Sequence, residues 1–249
     1  MFVIVSKNFT HNMVSVCIAS YNGEKFILEQ LNSILTQIHE KDEILICDDK
    51  SSDNTVDIIK KINDSRIRLY KNDKNLGYTK NFERVLSLSK GDIIITSDQD
   101  DVWLPDKYKT IIKNLKLVDF VIHDAKIVDT ATTELFTSYF KKRKTKKSKL
   151  GNIIKFSYLG CCMAFNKNVL EFALPFPRNS NYCTFDNWIF LCSIFYFRIK
   201  IINKPLLLYR RHDDNASTGG FNSDKTLLFK LQYRLYLIFH LILRKFKLL

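Results

Sequence analysis

A chain of 249 residues, 46% hydrophobic and 26% charged, is long enough for one sizeable α/β domain and too apolar for extensive disorder. Only 7 Gly and 4 Pro leave little room for linkers, and no window of about 18–20 apolar residues is available to span a bilayer. The net charge of +13 calls for an anionic counterpart: nucleic acid, phosphorylated small molecules or an acidic membrane surface.

Met1 to Val5 is too short for a signal peptide, and Met13 stands just before the first strong strand, so residues 1–12 read as an N-terminal extension. Val14 to Ala19 is a buried strand, followed by a helical stripe of Phe26, Leu31, Ile34 and Leu35. Glu43 to Cys47 is a second strand, ending at Asp48-Asp49. A helix over Asp53 to Ile62 follows, with Ser51 or Ser52 as its N-cap. Arg66 to Tyr70 is a third strand, Thr79 to Ser89 a helix, Asp92 to Thr96 a fourth strand, and a helix opens at Pro105. This rhythm predicts an α/β fold with a mainly parallel sheet flanked by helices. Beyond residue 118 the pattern loosens: strands at Phe120 to His123, Leu159 to Phe165 and Leu206 to Tyr209, a helix over Phe185 to Tyr196, and a polar loop at Asp213 to Asn222.

The six cysteines form no C-x-x-C pair and no zinc-ligand spacing, and adjacent Cys161 and Cys162 suit no structural disulfide. That usage fits a reducing cytosol.

In parallel sheets ligands collect at the carboxyl ends of the strands. Ser20-Tyr21-Asn22, Asp48-Asp49 and Ser97-Asp98-Gln99-Asp100-Asp101 all follow strands, so three strand ends converge on one edge. Three carboxylates within four residues repel one another by about 1 kcal/mol per close pair in water, and a divalent cation relieves that repulsion. Read without a metal, the same run is a solvated acidic turn, with Asp101 opening the next helix.

Val16 to Asn22 with Gly23-Glu24, Asp48-Asp49-Lys50-Ser51-Ser52-Asp53-Asn54-Thr55, Asn75-Leu76-Gly77 and Asp98-Gln99-Asp100-Asp101-Val102-Trp103 together resemble glycosyltransferase family 2. The D-Q-D-D-x-W variant is similar to a bacterial branch that includes rhamnosyltransferases. The resemblance runs from about Val14 to about Asn215 and implies the GT-A fold. It divides residues 13–223 into a nucleotide-sugar-binding half, 13–103, and an acceptor half, 104–223. Lys50 departs from the family, which usually has Gly there, so a turn needing positive φ would be strained.

The resemblance implies a metal-dependent, inverting transfer of a sugar from a dTDP- or UDP-linked donor. The acceptor would be a hydroxyl of a glycan or lipid-linked saccharide, in bacterial surface polysaccharide synthesis. Ser20 and Tyr21, with Asp48 or Asp49, would meet the nucleotide, one of the two acids being only a turn-former. Asp98 would face the ribose or donor sugar, and Asp100 would hold Mn²⁺ or Mg²⁺, with Asp101 and His212 as further candidate ligands. Arg210 or Arg211 suits phosphate oxygens, and otherwise sits at the surface. Asp186, in the first turn of a helix capped by Thr184, is the candidate base that takes the acceptor proton.

The basic run Lys141 to Lys147 reads as a solvated face or a phospholipid contact. From residue 224 to 249 the chain reads as a basic amphipathic helix. Leu227, Leu228, Leu231, Leu235, Ile238, Leu241 and Ile242 alternate with Lys225, Lys230, Arg234, Arg244, Lys245 and Lys247. Such a helix suits an anionic membrane surface, which would make the protein cytoplasmic and peripheral on the inner face of the plasma membrane. It equally suits a homodimer or core-packing contact. Nucleic acid is not expected, since no recognised module occurs and the acidic edge would repel phosphate. A catalytically degenerate sugar-binding module is the alternative. It would be expected to lose carboxylates that are present here.

Overall fold

A computed structural model describes residues 12–213, 215 and 226–246, so most of the expected N-terminal extension, the polar loop, Lys225 and Lys247 lie outside the described residues. The chain runs β1 (Val14–Ser20), α1 (Ile27–Leu35), β2 (Glu43–Asp48), α2 (Thr55–Lys61), β3 (Ile67–Lys71), α3 (Tyr78–Ser87), β4 (Ile93–Ser97), β5 (Val102–Trp103) and α4 (Lys107–Leu115). It continues through β6 (Phe120–Val128), β7 (Glu134–Phe136), α5 (Tyr139–Arg143), α6 (Lys149–Ile154), a 3-10 turn at Gly160–Cys162, β8 (Met163–Asn166), α7 (Lys167–Ala173), α8 (Phe185–Tyr196), β9 (Ile199–Arg210) and α9 (Leu227–Lys245).

One nine-stranded sheet, ordered β3-β2-β1-β4-β8-β6-β9-β5 with β7 beside β6, carries the whole described chain. β1, β2 and β4 are buried on both faces, which is why they read as unbroken apolar runs and lie at the centre of a parallel sheet. The register sets Ser20 beside Asp48 and Ile18 beside Ser97, so the strand ends come level and their loops share one edge. β8 runs antiparallel to both β4 and β6, while β6 and β9 pair in parallel. The first half is therefore purely parallel and the second mixed. Helices α1 and α3 cover the sheet with Ile27, Leu31 and Ile34, and with Phe82, Val85 and Leu86.

Several boundaries differ from the sequence expectation for local reasons. α2 is preceded by Asn54 rather than a serine, because Ser51 turns back to Asp48 and Asp53 accepts from the Thr55 amide. α4 opens at Lys107, since Asp106 adopts a left-handed φ of 68° after Pro105. The apolar run at Leu159 to Phe165 is split by the 3-10 turn, which brings Gly160 under α8. Of the six cysteines, all are buried and none is paired. Among the described residues no helix is long and apolar enough to cross a membrane.

Lys50 sits at φ 65°, the left-handed conformation expected of a glycine position. Lys50→Gly is expected to raise stability by up to about 1 kcal/mol, read as a higher midpoint of thermal or urea unfolding. A fall would show that the lysine side chain contributes more than its backbone strain removes.

Candidate active site

The loops after β1, β2 and β4 and the first turn of α8 enclose a cavity of about 550 Å³. Ser20, Tyr21, Asp49, Asp98, Asp100 and Asp186 all line it, so six of the sequence-selected residues come together from four separate segments. Asp48, Asp101, Arg210, Arg211 and His212 are not among the lining residues.

The adjacent acids at 48 and 49 divide their work. Asp48 is fully buried and accepts from Ser20 Oγ at 3.2 Å and the Ser51 amide at 3.0 Å, which makes it the turn-former. Asp49 reaches the cavity while its Oδ1 accepts from the Leu76 amide and Asn72, and its Oδ2 from the Gly77 amide. The Asn75-Leu76-Gly77 loop is thereby laid along the cavity wall. Gly77, at φ 77°, makes the turn into α3.

Tyr21 is half exposed, and its backbone is held by a residue the sequence reading did not single out. The Gln99 side-chain amide accepts from the Tyr21 N–H and donates to the Tyr21 carbonyl, both at 2.9 Å. The acid loop and the first loop are thus clamped together by two hydrogen bonds. Trp103 adds a second fastening, donating from Nε1 to Ser97 Oγ at 3.0 Å.

Arg210 departs from the expected phosphate role. Its guanidinium is buried and committed to Asp100 O at 2.8 Å, Thr130 O at 2.6 Å and Glu29 Oε2 at 2.6 Å, with the Phe26 ring 4.8 Å away. Its amide also donates to Asp101 Oδ1 at 3.0 Å. With its donors turned onto the protein it holds the acid loop instead of facing the cavity. Arg211 donates to Tyr209 Oη at 3.1 Å.

His212 meets Asp100 directly, Nε2 to Oδ2 at 2.8 Å, and Asn215 donates to the same oxygen at 3.0 Å. The imidazole meets the Phe26 ring in a tilted contact, centroids 4.9 Å apart. Asp101 is fully buried, and its Oδ2 has no hydrogen-bond partner. The ligand atoms of Asp98, Asp101 and Cys161 fall within 4.8 Å of one another. Burial pushes the Cys161 thiol well above its ordinary range, which suits neither a nucleophile nor a ligand of a hard cation. Below this cluster Lys107 is fully buried, 4.5 Å from the Trp103 ring centroid, donating to Cys161 O at 3.2 Å.

Asp186 lies across the cavity at the start of α8, its Oδ1 accepting from the Asn187 amide at 2.8 Å. Gly160 permits this approach, since a Cβ there would strike the Phe185 ring and come within 3.1 Å of Asp186 Cβ. Burial raises the Asp186 carboxyl above its ordinary value. The remaining wall is aromatic, with Tyr139, Phe156, Tyr158 and Tyr209, and includes Arg143. Arg143 belongs to the basic run read as a solvated face. Only the fold of α5 turns it inward, and no sequence signal separates it from its lysine neighbours.

Burial, then the charges of Asp100 and Asp186, lift the Asp98 carboxyl to about 7. The stability carried by its protonated form is fully present below the ordinary carboxylate range and is lost as pH rises through about 7. Asp98→Asn is therefore expected to stabilise the metal-free protein by about 1–3 kcal/mol just above neutrality, with the gain vanishing towards about pH 4. Urea unfolding in chelator across that range checks it, and a destabilised variant at neutral pH would contradict it.

The family model for glycosyl transferase family 2 matches residues 15–173. The dTDP-rhamnosyl transferase RfbG of Shigella flexneri is 32% identical over 235 residues, covering 87% of this chain and 76% of that protein. An Escherichia coli protein, the UDP-Glc:alpha-D-GlcNAc-diphosphoundecaprenol beta-1,3-glucosyltransferase WfaP, is 29% identical over 242 residues and covers 92% of each chain. Among solved structures, S. aureus TarS 1-349 in complex with UDP-GlcNAc superposes with a TM-score of 0.66 at 19% identity, over 94% of this chain and 73% of that one. At that identity the likeness speaks for the fold, which is GT-A. The match over most of the chain identifies it as a member of glycosyltransferase family 2.

Proposed function

We propose that this glycosyltransferase is a metal-dependent, inverting enzyme that moves a hexosyl group from a UDP- or dTDP-linked donor to a hydroxyl of a lipid-linked saccharide, in bacterial surface polysaccharide synthesis. The observation that carries the reading is the single cavity on which Asp49, Asp98 and Asp100 from one half and Asp186 from the other converge. The names of the similar proteins, a rhamnosyl and a glucosyl transferase, support the two donor classes.

Asp49 Oδ2 is suited to accept from the imide N–H of uracil or thymine, with the exposed Tyr21 ring beside the base. Asp98 takes the sugar side. Asp100 and His212, already in contact, form the pair that would hold Mn²⁺ or Mg²⁺, and Asn215, donating to the same Asp100 oxygen and accepting from the His212 amide, orients the two. Bound there, the cation would offset the negative charge that builds on the departing diphosphate. Asp101, turned inward, supports the loop rather than ligating.

On the acceptor side Asp186 takes the hydroxyl proton as the acceptor oxygen bonds to the anomeric carbon. The bond from that carbon to the diphosphate oxygen breaks on the opposite face, and its electron pair leaves with the nucleotide. Burial, by raising its pKa, improves Asp186 as a base.

Thermal unfolding with UDP-, dTDP- and GDP-sugars, with Mn²⁺ and then with chelator, tests donor and metal together. Stabilisation by one nucleotide class that needs the cation and disappears in Asp100→Asn is the expected result. No stabilisation by any donor would sink the reading. Asp186→Asn is expected to keep donor binding and lose about 100- to 10,000-fold in turnover. Donor binding with undiminished absence of turnover in the wild type would instead favour a binding-only module. The acid limb of kcat/KM should lie above the ordinary carboxylate range, activity falling as pH drops through the raised pKa of Asp186. NMR of the product should show an inverted anomeric centre.

A further inference from the structure

The C-terminal helix is apolar on two opposite faces. Its inner face packs on the domain: Leu237 and Leu241 are buried, and Arg244 donates to the carbonyls of Leu174 and Pro175. Tyr233 meets Thr184 and Asn187 at the start of α8. The core-packing reading of this helix therefore holds for half of it.

The outer face is the unusual one. Leu228, Leu231, Leu235, Phe239, Ile242 and Phe246 recur at three- and four-residue intervals, and each is more than half exposed. An exposed surface helix ordinarily carries polar residues on that stripe. α6 adds Leu150 and Ile154, one turn apart and 67% and 54% exposed. The two helices are joined by Arg234, whose Nε donates to Ile154 O at 3.0 Å. The exposed apolar side chains of α6 and α9 thus form one neighbouring surface, and isolated exposed leucines do not account for it.

The charge around this surface is of one sign. No acidic residue occurs between Glu134 and Glu171, nor anywhere in α9. Lys147, Lys149, Lys230, Arg234 and Lys245 flank the apolar side chains with no carboxylate on either helix. A second copy docked through the same stripe would bring these cations together without a counter-charge. A bilayer with anionic headgroups supplies both an apolar layer for the stripe and charges for the rim.

We propose that α6 and the outer face of α9 form a docking surface for an anionic lipid bilayer, contiguous with the acceptor side of the cleft. The continuity is covalent and local: α5 contributes Tyr139 and Arg143 to the cavity, and Phe156, Tyr158 and Leu159 follow α6 directly into its wall. The segment that touches lipid is the one that lines the acceptor half, so an acceptor anchored in that lipid reaches Asp186 without leaving the surface. The orientation rests on the transferase reading; the docking surface stands apart from it.

The test is sedimentation of the full-length protein with phosphatidylcholine vesicles, with and without phosphatidylglycerol, in the absence of donor and metal. The expected result is co-sedimentation with the anionic vesicles, weakened by salt. The triple variant Leu231→Ser, Leu235→Ser, Phe239→Ser should bind at least about tenfold more weakly while keeping its circular dichroism and cooperative unfolding, because each of these side chains is more than half exposed. Lys149→Glu with Lys230→Glu should lose a similar factor. Asp100→Asn, which tests only the transferase site, should sediment like the wild type. Failure of the wild type to sediment with anionic vesicles would overturn the surface. So would a stable dimer by light scattering that the triple variant dissociates, because the stripe would then be its interface.

Discussion

The architecture of the cleft depends on keeping the backbone and carboxylates of Asp98, Asp100 and Asp101 on one short loop, and the contact that does so is the buried guanidinium of Arg210. It reaches Asp100 O, Thr130 O and Glu29, while the Arg210 amide holds Asp101. These partners come from α1, the loop after β4 and the turn after β6, while Arg210 itself ends β9. One side chain therefore ties both halves of the sheet to the acid loop. A charged group so buried is tolerable only with all its donors directed, and a planar five-donor fork suits this role as an ammonium would not.

Lys107 supplies the second cation, fully buried and donating to Cys161 O. Burial draws its pKa down, while Cys162, Cys161, Asp101 and Asp98 push it back up. With Arg210 bonded to the acid loop and the charge of Lys107 acting on Asp98, the protein compensates part of the repulsion within the loop. The part left over adds to burial, the larger cause, in raising the carboxyl of Asp98 at the point where the loop faces the cavity. A divalent cation at Asp100 and His212 would act on that remainder.

The cleft has an economy in its acids that follows from chain geometry. In both adjacent pairs, Asp48 with Asp49 and Asp100 with Asp101, one carboxylate is folded inward to shape the loop and its neighbour lines the cavity. Successive side chains leave an extended backbone on opposite sides, so two acids in a row at a strand end divide in this way. α9 extends the same division to a whole helix, with one apolar face inside and the other open.

The parallel half of the sheet was readable because its strands are continuous apolar runs and its helices carry a regular stripe. The gathering of Tyr21, the Asp48-Asp49 pair and the acid loop at one edge was readable too, because polar residues following buried parallel strands must meet there, while Asp186 was singled out by its helix-start position and the family resemblance. What the residues alone could not decide were matters of direction. Asp101 and Arg210 turn inward because the antiparallel pairing of β5 with β9 brings Arg210 over the acid loop, a contact between residues more than a hundred positions apart. Gln99 became a clamp only when its loop met that of Tyr21. Arg143 left its lysine neighbours for the cavity because α5 places it there, and the two apolar faces of α9 became distinct only once one of them had packed. Periodicity and residue type determined which segments are buried and where charge gathers, since both depend on neighbours along the chain. Tertiary structure alone decided which acid lines the cavity and which faces protein, because that choice is made by partners distant in sequence.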